Sequence, residues 1–176
     1  MNFKKIILYK EPAISEINIE KLTKFLEDNF PFEVKIKENV FKEFSLKNIK
    51  ELSNTRITDI KNSFSKYDSN DTEIEFEEKL CRNSSIMEST TKVENAQEIS
   101  QVFMYDGFEL QKILRYLNED NEALHVILTN RLTCTFDEND NRYHARAAIC
   151  ANPAIISTTG IIEAPAKPRE YYFEVM

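Results

Sequence analysis

The stretch 129–147, TNRLTCTFDENDNRYHARA, gathers Cys134, Asp137, Glu138, Asp140 and His144 into one short span. Side chains of these types hold divalent cations or move protons, so calcium, zinc and nucleophilic chemistry each have to be weighed. The D-x-[DN]-x-[DN] start of a calcium loop is present at Asp137, Asn139 and Asn141. However, the loop needs Gly next and a bidentate Glu at its twelfth position, where this chain has Arg142 and Ala148. The flanks read as strands, not as the helices of an EF-hand. Asp and Asn tolerate the left-handed backbone that tight turns require, so the turn of a β-hairpin accounts for DENDN without an ion.

Zinc fares no better by spacing. Cys134 and His144 are placed to face each other across such a hairpin, but they make two ligands at most. Cys150 is an even offset from His144 and would share its strand face, yet it would lie about 20 Å away along a strand. No metal ligand is assigned. Cys134 or Cys150 with His144 is the available thiol–imidazole pairing, and nothing local lowers a thiol pKa. His125, inside the apolar run ALHVIL, reads as a satisfied core histidine. What remains is a polar cluster, Arg131, Asp137, Arg142 and His144, expected to line a groove, with Arg146 adding to a cross-strand ion-pair set.

The elements that must position these groups follow from periodicity. Phe3 to Tyr9 is a short apolar run expected as a strand. Asn18 is expected to cap a helix carrying Ile19, Leu22, Phe25 and Leu26 on one face, stopped at Pro31. FEVKIK (32–37) alternates as a half-buried strand does, completing an opening β-α-β unit. Short helices are expected around Leu46–Leu52 and around Ile57–Ile60. The polar, acidic stretch 64–100 reads as a loop or peripheral excursion, although its IEFEEKL piece fits strand and helix alike. Asp106 with Glu109 resembles a capping box, and Leu110, Ile113, Leu114 and Leu117 follow at helical spacing. Ala123–Leu128, Arg131–Phe136, Arg142–Cys150 and Ile155–Thr159 are expected strands, the last ended by Gly160.

At 176 residues, 41% of them apolar and 30% charged, the chain can build one full core. The reading is one α/β domain over 1–160 and an extended tail over 161–176. A net charge of −7 argues against a nucleic-acid partner, because such binding rests on Lys and Arg neutralising phosphates. The N-terminal apolar run falls short of the roughly 7–15 residues of a secretory core and of the about 20 of a membrane span. Three cysteines without a CxxC favour reduced thiols and a cytoplasmic location. Two glycines exclude Gly-rich phosphate loops. Pro165 and Pro168 extend the tail, and Tyr171, Tyr172 and Phe173 give it an aromatic surface expected to dock on this domain or on a protein or peptide partner.

From Leu124 to Tyr172, the LTNRL-T-TFDE-D-RYHAR hairpin and the P-IISTTGI-EAPAKPREYY segment resemble an archaeal family described as metallopeptidases, similar to the archaemetzincins. The opening β-α-β and the YDGFELQ helix agree with it in order. The resemblance implies a twisted mixed sheet, like the N-terminal half of a zinc metallopeptidase of metzincin type, followed by a C-terminal β-hairpin region. It also implies an H-E-x-x-H helix, whose two histidines hold zinc while the Glu serves as general base. This chain has no such motif: its histidines are His125 and His144, and neither is followed by Glu. The resemblance further implies chain with Cys and His residues after PAKPREYY, so zinc is expected only if a part beyond this sequence supplies its ligands. Two readings stand: a truncated, split or non-catalytic metallopeptidase relative, or a stand-alone domain that binds a protein or peptide through its tail or a sheet edge.

Overall fold

In the computed structural model the described residues are 3–11, 14–15, 17–82, 103–119 and 122–163. Strand β1 (Lys5–Lys10) holds the centre of a five-stranded sheet because its IILY run is buried on both faces. It pairs in parallel with β2 (Glu33–Lys37) on one side and with β4 (Ala123–Thr129) on the other. Strand β8 (Ala154–Ser157) continues the parallel set beside β4. The short β7 (Ala148–Ile149) closes that edge antiparallel, making the order β2-β1-β4-β8-β7. A second sheet, β3 (Met104–Asp106), β5 (Leu132–Asp137) and β6 (Arg142–Ala145), carries the hairpin. The mixed α/β architecture is the one expected.

Helix α1 (Ile19–Asn29) starts where the Asn18 side chain accepts a bond from the Lys21 amide at 2.8 Å, and it ends before Pro31. Helix α2 (Leu46–Ser53) is capped by Ser45. Helix α4 (Gly107–Ile113) is capped by Asp106, which accepts from the amides of Phe108 and Glu109, and its last turns tighten into a 3-10 helix (Leu114–Glu119). The main core packs Ile7, Tyr9, Ala123, Ile127 and Ile155 of one sheet face against Phe41, Ile49, Leu52, Leu110 and Leu114.

Four expectations needed correction. The stretch assigned to an excursion contains a twelve-residue helix, α3 (Asp71–Arg82). Asn70 and Glu73 form a reciprocal cap at its start: the Glu73 amide donates to Asn70 Oδ1, and the Asn70 amide donates to Glu73 Oε2. No helix forms around Ile57–Ile60. There Arg56 bridges Tyr105, and the Ile57 amide donates to Met104, extending the second sheet. The single strand expected over 142–150 is broken at Arg146–Ala147, where the chain passes from the second sheet to the first. Finally, IISTT is strand only to Ser157; Thr158–Glu163 form helix α5. Gly160 lies inside that helix, where a Cβ would come 2.1 Å from the Arg146 carbonyl oxygen, so close approach requires it. The rest of the 64–100 stretch, residues 83–100, and the aromatic tail lie outside the described residues.

Candidate functional site

The hairpin tip takes the form its composition dictates. Antiparallel register sets Asp137 opposite Arg142, Phe136 opposite Tyr143 and Thr135 opposite His144. Asn141 supplies the left-handed residue of the turn at φ 51°. Asp137 accepts two bonds from Asn139, from its amide at 2.9 Å and from its side chain at 2.8 Å. These bonds hold the Asp137 carboxyl below the ordinary aspartate value, the amide contributing most. His144 Nε2 lies 2.7 Å from Asp140 Oδ2. Donor atoms of Asp137, Asp140 and His144 all fall within 4.8 Å of one another.

Cys134 does not join them. Its partner across the hairpin is Ala145, so it points to the face opposite His144 and is buried. Burial pushes its thiol up to about 11 and that of Cys81 up to about 12. Neither is a poised nucleophile. His125 is buried in β4 with Nδ1 3.0 Å from the Tyr9 hydroxyl, as a core histidine should be.

Arg131, expected beside Asp137 and His144, is elsewhere. It is buried and reaches back into the domain, pairing with Glu11 through Nη1 and with Glu77 Oε1 through Nη2 at 2.8 Å. Glu77 accepts at its other oxygen from Arg56, at 2.5 Å, and from the Tyr105 hydroxyl, at 2.9 Å. Glu11 Oε2 accepts from the Thr129 hydroxyl at 2.7 Å and from the Asn130 amide at 3.2 Å. The guanidinium carbons of Arg131 and Arg56 stand 4.3 Å from the ring centroids of Phe41 and Phe103. Burial pushes the Glu77 carboxyl up, but Arg131 and Arg56 outweigh it and hold the group below its ordinary value. Burial likewise works against the charge on Arg131, and Glu11 and Glu77 reverse it. Two carboxylates and two guanidiniums thus form a balanced chain, Glu11–Arg131–Glu77–Arg56.

The position of this chain matters. Strand β1 connects onward to β2 on one side, while β4 leads towards β8 on the other, so a ligand crevice would open at the carboxyl ends of β1 and β4. Glu11 follows β1, Thr129 ends β4, and α3 brings Glu77 over them. Ion pairs and aromatic rings fill that place. A groove of about 160 Å³ does open elsewhere, between Glu51, Lys66, Glu109 and Lys112, and none of the expected site residues lines it.

The sequence reading missed Glu11, Arg56, Glu77 and Tyr105. One signal was available: Glu77 falls on the same stripe of α3 as Ile74 and Cys81, where a carboxylate demands a partner.

A family model described as Probable metallopeptidase family (DUF6775) matches residues 2–176. No curated protein and no solved structure matches the chain.

Proposed function

The chain belongs to the Probable metallopeptidase family, and from that premise we propose that these residues supply a non-catalytic α/β scaffold of archaemetzincin-like type. The observation that carries the reading is how the potential zinc donors are committed. The two histidines, His125 and His144, lie in different sheets, one buried against Tyr9 and the other beside Asp140 on a turn. No H-E-x-x-H segment exists to bring two imidazoles to one helix face. Cys81 and Cys134, buried with raised pKa values, do not substitute for them, and the exposed Cys150 joins no cluster of three such donors among the described residues. The donor set does not fit a catalytic zinc, and any such ligands would come from outside these residues. The archaeal character and the cytoplasmic setting belong to the same reading and rest on the sequence alone: the resemblance carried by residues 124–172, and three cysteines without a CxxC. Among the described residues no helix is long and apolar enough to cross a membrane.

A second reading rests on the spacing of Asp137, Asp140 and His144, which would suit a divalent cation at the hairpin tip. One experiment separates the two. The purified protein is equilibrated with zinc, freed of excess, and measured for bound metal by mass spectrometry and for hydrolysis of a peptide library. The scaffold reading expects neither stoichiometric zinc nor hydrolysis. One zinc per chain that is lost in His144→Ala would overturn it in favour of the hairpin site.

A further inference from the structure

Strand β2 is the open edge of the five-stranded sheet, pairing only with β1 among the described strands. The Glu33 amide donates to Lys4, so the backbone groups of Glu33, Lys35 and Lys37 point inward. Those of Val34 and Ile36 therefore face the open side. Around this edge lies exposed apolar surface: Ile36 is 50% exposed, Phe30 46%, and Phe25, on the adjoining helix α1, 58%. Phe30 stacks on Phe32 with ring centroids 6.3 Å apart, and α1 has no fully buried residue despite its apolar stripe.

From these observations we propose that β2 pairs antiparallel with β2 of a second copy of this chain, in the register that sets Val34 opposite Val34 on a two-fold axis. The pattern EVKIK selects that register. With Val34 on the axis, the outward-facing residues make the hydrogen-bonded pairs, and Phe32 meets Ile36 of the other copy. Glu33 then lies opposite Lys35 of the other copy, and Lys35 opposite Glu33, in the closer, non-hydrogen-bonded positions. Within each copy Lys35 already lies 3.1 Å from Glu33, so the four charges alternate in sign around the axis. Neighbouring registers fail: an axis at Lys35 sets lysine on lysine, and an axis at Glu33 sets glutamate on glutamate. A lysine on an edge strand ordinarily guards against pairing. Here Lys35 and Glu33 guard against the two neighbouring registers. Apolar side chains Phe32, Val34 and Ile36 share one face, so the two copies of α1 and their exposed phenylalanines extend the contact. With one strand pair and this rim, self-association is expected on the order of micromolar.

The test is the mass of the full chain in solution by sedimentation equilibrium, from low to high micromolar concentration, with circular dichroism to verify folding. The wild type is expected to move from 20.6 kDa to twice that mass. Glu33→Lys and Lys35→Glu are each expected to weaken the dimer by about tenfold or more, since each turns both cross-axis pairs repulsive. Mixing the two variants restores opposite charges at every position, so the mixture is expected to dimerise where neither variant does alone. Val34→Pro, which removes an outward-facing amide, is expected to leave a folded monomer. A wild type that stays monomeric at high concentration would overturn the proposal. So would a dimer indifferent to these substitutions, or single variants that fail to rescue each other.

Discussion

Two clusters of charged side chains sit at opposite extremes of this molecule. Asp140, on the exposed turn, and His144, in β6, are four residues apart, while Arg131 and Glu11 are 120 residues apart and buried. The first resembles a site when written as sequence, because ligand-type residues crowd together. Folded, its members satisfy a turn and one another in contact with water, where such pairs are weak. The second is scattered along the sequence, with only Glu77 on the apolar stripe of α3 to betray it, yet it occupies the carboxyl ends of β1 and β4, where α/β domains place ligands. Crowding along the chain reports local turn chemistry. Convergence in space reports what the fold must neutralise.

The sharpest way to test that contrast is to remove the centre of the buried chain. Arg131→Ala leaves Glu11 and Glu77 buried without their shared partner and is expected to cost about 3–5 kcal/mol in urea unfolding. A loss under about 1 kcal/mol would mean that the network is far wetter than its burial implies.

Acid is the next lever. The Glu77 carboxyl is held below its ordinary value of 4.5, so its contribution is fully present above that pH. The contribution drains away as pH falls below 4.5 through the depressed folded-state value, because the unfolded chain binds the proton first. Unfolding midpoints are therefore expected to drop on acidification below about pH 4.5, and Glu77→Gln should flatten the drop while lowering stability at neutral pH. A pH slope unchanged in Glu77→Gln would assign the acid sensitivity elsewhere.

At the hairpin the effects should be small. Asn141→Ala, which forces a β-carbon into φ 51°, is expected to cost about 1 kcal/mol, with Asn141→Gly near neutral. His144→Ala is expected to change stability by less than about 1 kcal/mol. If His144→Ala rivalled Arg131→Ala, the comparison would be reversed and the turn would hold more than a turn.

Much of the fold was legible because it is written in short-range patterns. The alternation of FEVKIK, the apolar run of ALHVIL, the caps at Asn18 and Asp106 and the DENDN turn each act over a few residues, within reach of periodicity and local hydrogen bonding. Helix α3 was hidden by its polar composition, although the Asn70–Glu73 cap announced it. The failure at Arg131 was of another kind. Nothing between LTN and LTC distinguishes an arginine at a groove from one turned inward.

The amino-acid sequence by itself determined an acidic α/β chain without an H-E-x-x-H motif, its opening β-α-β, and a hairpin closed by Asp and Asn. These follow from composition and from interactions that span a turn or less. Only the tertiary structure decided which charges matter: it brought Glu11, Arg56, Glu77 and Arg131 together, separated Cys134 from His144, and left β2 as an open edge among the described strands. The reason is physical. A charge taken out of water must find its counter-charge wherever the packed chain supplies it, and strand order, not sequence distance, sets what lies within reach.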